Sequence, residues 1–298
     1  MQLLSGTVKY TALRQGIFRR AQLCYLRGWA IRHPERSTSD YRGRGRGDID
    51  GSDIPRPHQS DLLAGGVPKL VPFTFEPGKE WRLDQAALRA AITVRTTAML
   101  LMSRSIPSGG YFTREDWTLI AEICVQRDLL LILDAAMQRL VFDVRPVIHP
   151  ASFPGMFERM VTDLISDIAA VSIANVVVPV GITQEAVAVA LDRSSETMAA
   201  YVAELQARRD LVVAELDGLP VGVPAGGWSL LFRVSDIGVD GSTTSKRLLE
   251  QGVCATAMDG WGEVHGSQYI RFVFSNESIE RLKGLGAKVR KALGVHSD

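Results

Sequence analysis

A chain of 298 residues is long enough for a large core or for two lobes of ordinary size. Its 46% apolar and 22% charged residues mark an ordinary globular protein. No apolar run reaches the ~18 residues that would suggest a membrane helix. Net charge is only +1, but nine Arg and one Lys against Glu35 and Asp40 give residues 1–46 a balance of +8, leaving −7 for the remainder.

A basic arm of this kind serves nucleic acid, an acidic partner or simple solvation. No nucleic-acid-binding motif accompanies it, so a solvated segment is expected and nucleic acid is not expected as a partner. Cys24, Cys124 and Cys254 lie far apart without a CxxC, and the five histidines are scattered. This usage excludes a zinc constellation or a disulfide framework and suits a reducing cytoplasm. The N-terminus has no apolar h-region followed by a small-residue cleavage site, so a cytoplasmic location and no membrane association are expected.

In chain order, Leu13 to Ala30 predicts a helix, with Leu13, Ile17, Ala21 and Cys24 at helical spacing. Asp40 to Pro57, rich in Gly, Arg, Asp and Pro, has no hydrophobic period and reads as a loop. From Val67 onward strand and helix alternate. Val67 to Phe73 predicts a strand, Leu83 to Ile92 a helix, and Ala98 to Ser103 a buried strand. Thr113-Arg-Glu-Asp116 is a capping box, and Trp117, Ile120, Ala121 and Cys124 then form one apolar face. Leu129 to Leu133 is a continuous apolar run, as a parallel strand covered on both faces requires. Thr183 to Leu216 predicts a long helix. Ser229 to Val234 and Tyr269 to Phe274 predict strands, and Ser278 to Leu293 a closing helix. The alternation predicts an α/β fold: a large domain on a mainly parallel sheet, with a smaller C-terminal α/β domain. The expected division is a basic segment over 1–57, a large domain over 58–219 that includes the long helix, and a small domain over 220–298.

Two residues stand out chemically. Asp134 follows five apolar residues at the carboxyl end of a strand, where open α/β sheets bind ligands. It either caps a turn or holds a cationic group. Arg271 lies in the apolar-aromatic stretch Tyr269-Ile-Arg-Phe-Val-Phe274. A buried guanidinium needs either a protein acid or an anionic ligand, and its planar fork suits a carboxylate. Pro107-Ser-Gly-Gly110 and Gly226-Gly227 are turns that carry no chemistry by themselves.

Taken in order, these segments resemble the class I/II aminotransferases of fold-type I, the pyridoxal-phosphate-dependent transaminases. Ala98 to Asp143, "AMLLMSRSIPSGGYFTREDWTLIAEICVQRDLLLILDAAMQRLVFD", is similar to that family's strand, Asn-Pro-Thr-Gly turn, helix and Asp-terminated strand. "HPASFPGMFER", from His149 to Arg159, resembles the next segment. "AGGWSLLFRVS" and "YIRFVFSNE" resemble the small domain and its substrate-carboxylate strand. Lys9 to Glu35 resembles the N-terminal substrate-entrance segment and first helix. The resemblance covers about three quarters of the chain and rests on the ordered set, since no single motif is specific.

The resemblance implies amino-group transfer between an amino acid and a 2-oxo acid, pyridoxal 5'-phosphate as cofactor, and a homodimer. It implies that Asp134 lies beneath the pyridine nitrogen and keeps it protonated, so that the ring can act as an electron sink. It places Ser108 and Met137 at cofactor-contact positions and Arg271 on the substrate carboxylate. The departures are as informative. Ile106 stands where the family has the Asn that bonds the cofactor's phenolic oxygen, Ser108 where it has Thr, and Met137 where it has Tyr. The Ser-x-x-Lys loop that should follow Glu158-Arg-Met-Val-Thr162 is missing, and no lysine occurs between Asp134 and Lys246. The Gly-Ala phosphate turn expected after His33-Pro-Glu35 is replaced by the Arg-Gly segment. Lys246 in Ser-Thr-Thr-Ser-Lys is expected on a surface helix. Without the lysine there is no internal aldimine and no usual proton shuttle, so impaired or absent activity is expected. The alternative is a non-catalytic pseudoenzyme that partners an intact homologue.

Overall fold

The computed structural model describes residues 22–26, 67–160, 181–261 and 265–295. The large lobe is built on a four-stranded, all-parallel sheet in the order β2-β1-β5-β6. Its strands are β1 (Gln22–Leu26), β2 (Val67–Val71), β5 (Thr96–Met102) and β6 (Leu130–Asp134). A short antiparallel pair, β3 (Phe73–Thr74) and β4 (Arg82–Leu83), forms a hairpin beside it. Residues 98, 99 and 101 of β5 are fully buried, as expected of a strand covered on both faces.

The helix expected over residues 13–30 is a correction. Gln22–Leu26 forms β1, bonded to β2 on one side and to β5 on the other. Cys24, taken as part of a helical face, is a strand residue in register with Lys69 and Met99. Five residues of Gln-Leu-Cys-Tyr-Leu are too short for periodicity to separate strand from helix. Two ladders of backbone hydrogen bonds at the sheet centre decide the outcome. The rest of the basic segment, including the Asp40–Pro57 loop, lies outside the described residues, as does the stretch 161–180.

Helix α1 (Gln85–Ala91) starts where the Asp84 carboxylate accepts from the Ala87 amide at 2.8 Å. Helix α2 (Arg114–Arg127) has the expected capping box: the Thr113 hydroxyl accepts from the Asp116 amide and the Asp116 carboxylate accepts from the Thr113 amide. Its predicted apolar face is the buried one, with Trp117, Ile120, Ala121 and Cys124 in the main core. Each such large side chain contributes roughly 1.5–3 kcal/mol when removed from water. Asp128, in the left-handed region at φ 51°, ends the helix by donating its amide to the Cys124 carbonyl.

The long helix α3 (Gly181–Glu215) leads to the small lobe. There β7 (Ser229–Arg233), β9 (Tyr269–Val273) and β8 (Thr256–Ala257) form an antiparallel sheet in the order β7-β9-β8. Helix α4 (Gly241–Glu250) and the closing helices α5 (Ile279–Leu282) and α6 (Leu285–Leu293) accompany it. The closing helix, expected to be continuous, breaks at Gly284, whose φ of 78° is costly for other residues. A second core joins Leu205 and Val212 of α3, and Leu216 just past its end, to the sheet residues Leu230, Phe232, Ile270 and Phe272.

Between the lobes runs the segment Pro220–Gly227. It donates from Val223 N to Lys79 O (3.0 Å), from Ala225 N to Gly109 O (3.0 Å) and from Gly227 N to Leu140 O (3.0 Å). It accepts from Gly78 N at Val221 O and from Phe142 N at Ala225 O. Toward the small sheet, Gly222 N donates to Leu231 O. Gly226 is required here: a Cβ would lie 2.1 Å from the Leu140 carbonyl and 2.9 Å from Arg104 Cγ. Among the described residues no helix is long and apolar enough to cross a membrane.

Candidate active site

Asp134 is the last residue of β6, at the carboxyl end of the parallel sheet as expected, in register with Met102 of β5. The chain leaving β5 makes the Ser103–Gly110 turn, so this turn and the segment after Asp134 occupy one sheet edge. Ser103 N donates to the Asp134 carbonyl at 3.3 Å, and Arg104 Nη2 donates to the Gln138 carbonyl at 3.2 Å. The structure thereby brings together Asp134, Met137 and the turn that carries Ser108.

Their side chains differ in availability. The Asp134 carboxylate is exposed and accepts one hydrogen bond, from Ala136 N at 3.0 Å. It closes a turn and leaves its other oxygen toward solvent. Ser108 is fully buried, and its hydroxyl accepts from Gly110 N at 3.2 Å. Met137 is buried and Ile106 half-buried. Neither side chain can hydrogen-bond a phenolic oxygen.

Arg271 lies on β9, in register with Leu231 and Thr256. Side chains alternate along a strand. Ile270 and Phe272 belong to the small-lobe core, whereas Tyr269 packs on Phe75 and Trp81 of the large lobe, with ring centroids 6.0 Å from each. Arg271 therefore issues on the side that faces the large lobe. Its guanidinium stacks over Trp261 at 5.0 Å, its Nε has no hydrogen-bond partner, and no acid pairs with it among the described residues. Burial holds its pKa below the usual arginine value. Of the two readings left open for Arg271, no acid among the described residues answers the first.

Sequence reasoning missed Arg104, which is 1% exposed. It donates to Ser103 Oγ at 2.7 Å and stacks on Tyr111 at 4.7 Å, with Nε unsatisfied. Burial pushes its pKa down to about 10. An arginine in an otherwise small, polar turn was the only signal available. Cys124 offers no nucleophile, because burial pushes its thiol up to about 12. Among the described residues no group of His, Cys, Asp and Glu could hold a metal. A cleft of about 390 Å3 opens elsewhere, at the hairpin among Thr74, Glu76, Lys79, Glu80, Arg82 and Val223. Its charged groups already pair with each other or with neighbours, Lys79 with Glu76 and Arg82 with Glu80. Neither Asp134 nor Arg271 lines it.

Pyridoxal phosphate would need an amine for its aldehyde. No lysine lies between Asp134 and Lys246, and Lys69, Lys79, Lys246, Lys283, Lys288 and Lys291 are all exposed. Lys246 projects from α4, as expected of a surface helix. The exposed Asp134 suits a protonated nitrogen and Arg271 suits a carboxylate, but the residues do not fit a covalently held cofactor.

Comparison with known proteins agrees with this geometry. Residues 57–152 match the family described as aminotransferase class I and II. The "Probable N-succinyldiaminopimelate aminotransferase DapC" of Mycobacterium tuberculosis is 30% identical over 268 residues, covering 76% of this chain and 67% of that protein. The aromatic-amino-acid aminotransferase 2 of Thermococcus litoralis is 27% identical over 259 residues, 78% of this chain and 66% of the relative. The chain thus spans about two thirds of the length of such relatives, 66–67%. Among solved structures, N-succinyldiaminopimelate aminotransferase from Mycobacterium tuberculosis superposes with a TM-score of 0.74 at 24% identity, covering 94% of this chain and 75% of that one. The aromatic aminotransferase from Pyrococcus horikoshii gives 0.73 at 23%, covering 95% and 77%. With the parallel sheet and the aspartate at the carboxyl end of its edge strand, these likenesses lead to one conclusion: the chain belongs to the class I and II aminotransferase family.

Proposed function

We propose that this chain is a pyridoxal-phosphate aminotransferase by descent that no longer transaminates. Its inherited substrates are an amino acid and a 2-oxo acid, and its inherited assembly is a homodimer. Asp134 and Arg271 are the surviving contacts, the first for a cationic nitrogen and the second for a carboxylate. Ser108 and Met137 line the cofactor side without contributing a free hydrogen bond to it.

The observation that carries this reading is the lysine inventory. A Schiff-base amine must sit within bonding distance of the cofactor aldehyde and must shed its proton. The described lysines are exposed on strand, hairpin and helix surfaces, and Lys9 precedes the large-lobe segments altogether.

The test is a transamination assay with a panel of amino acids and 2-oxo acids in the presence of added pyridoxal phosphate. The expected result is no turnover above the non-enzymatic rate. Substrate-saturable turnover would overturn the proposal. Sedimentation at micromolar concentration checks the inherited assembly, for which a homodimer is expected.

A further inference from the structure

A group of charges outside the candidate site joins three parts of the molecule. Arg209 of α3 is 4% exposed. Its Nη2 and Nη1 donate to the two carboxylate oxygens of Asp143, at 2.6 and 3.1 Å, and Nη1 also donates to the Pro224 carbonyl at 3.0 Å. The guanidinium lies over Phe142 at 4.9 Å. Asp210 approaches Arg209 Nε to 2.6 Å, but in a direction that makes no hydrogen bond. On the other side of Asp143, Arg145 grips both oxygens of Glu80 in the hairpin and comes within 3.6 Å of Asp143. Arg82 adds a second cation to Glu80 at 2.9 Å.

The backbone between these pairs is strained. Asp143 and Val144 adopt φ of 60° and 54°, the left-handed region. Val144 is β-branched and fully exposed, so nothing in its own packing favours that conformation. Such backbone persists where its surroundings over-determine it. Here the surroundings are the ion pairs on either side, together with the hydrogen bond from Asp143 N to Gln206 Oε1 at 2.8 Å.

We propose that Glu80, Arg145, Asp143 and Arg209 form an electrostatic latch that holds α3 and the Pro224–Gly227 segment against the large lobe, with ionic strength setting how often the lobes part. Arg209 is the keystone, because from the long helix it bonds both the loop after β6 and the segment between the lobes. When its pairs are screened, the strained loop relaxes. Phe142 N and Gly227 N then lose the geometry that bonds them to Ala225 O and Leu140 O. The small-lobe sheet keeps its own backbone ladders. The latch does not depend on whether the protein transaminates.

Hydrogen–deuterium exchange on the full chain tests this. Between ~0.05 M and ~1 M NaCl the Debye length contracts from over 10 Å to about 3 Å. Amides of 138–145 and 221–228 are expected to exchange about tenfold faster at high salt, while those of β7 and β9 keep their rates. Asp143→Asn should reproduce the acceleration at low salt, and Glu80→Gln a smaller one, each with a weakened salt response. Salt-independent exchange across the two segments, or equal acceleration of β7 and β9, would overturn the latch. The wild-type salt series decides the matter even if a variant fails to fold.

Discussion

Two arginines near the meeting of the lobes live in opposite circumstances. Arg209 is buried and its fork is answered: a carboxylate takes both terminal nitrogens, a carbonyl takes a spare donor, and a phenyl ring covers its face, while Nε makes no hydrogen bond. Arg271 is half-buried and stacks on Trp261, with no acid on its fork among the described residues. The inter-lobe junction is a finished structural contact. The site beside it holds Asp134 and Arg271, and no lysine lies between Asp134 and Lys246. On the proposed reading the framework and the chemistry of this chain have diverged, and substitutions at the two arginines should separate them.

The largest effect is expected from Arg209→Met. It leaves Asp143 beside Arg145 alone, strips Pro224 O of its donor and removes the charge from Phe142. A loss of about 2–3 kcal/mol in chemical denaturation follows from breaking one side of a partly buried pair. A cost below the scatter of surface substitutions would show that the junction carries no such weight.

Asp143→Asn should cost less, about 1 kcal/mol near neutral pH, since the carboxylate is partly exposed and water screens the pair. The hydrogen bond from Arg209 holds the Asp143 carboxyl below the usual carboxylate range, with the nearby charges of Arg209 and Arg145 adding to it. A depressed folded-state pKa contributes stability that is complete above the unfolded value of ~3.9 and is lost as pH falls through the folded value. The difference between wild type and Asp143→Asn should therefore be constant at neutral pH and shrink toward zero in strong acid. Melting curves across that range check the sign.

The smallest effect is expected from Arg271→Met. Removing an unpaired, partly buried charge for an apolar chain of similar length forfeits the contact with Trp261 and regains the desolvation cost, a net change within about 1 kcal/mol of zero. A loss as large as that of Arg209→Met would mean that Arg271 has a structural partner and is no ligand fork.

Much of the framework was legible in the sequence. The strand, capping box, amphipathic helix and Asp-terminated strand from residue 96 to 134 follow from local signals: continuous apolar runs, Thr113 with Asp116, and one apolar helical face. Arg271 was legible because a cation within Tyr-Ile-Arg-Phe-Val-Phe is costly unless something answers it. β1 was not, because five residues set inside a helix-like spacing become a strand through ladders to β2 and β5 that are distant in sequence. The junction was not legible either. Arg209 and Asp143 stand 66 positions apart, and the need for glycine at 226 arises only when the Leu140 carbonyl is placed beside it. That no described acid pairs with Arg271 needed the coordinates too, since a sequence does not show what folds against it.

The central claim is that the reaction is gone because the amine is gone. Incubation of the purified chain with pyridoxal phosphate, reduction with borohydride and peptide mapping tests it most directly, since reduction traps any lysine Schiff base as a stable secondary amine. The account predicts scattered, substoichiometric labelling over the exposed lysines, with no visible absorbance band that persists through dialysis. Stoichiometric labelling of one lysine, with that band and any transamination lost when the residue becomes alanine, would contradict it and show that the chain has recruited a substitute.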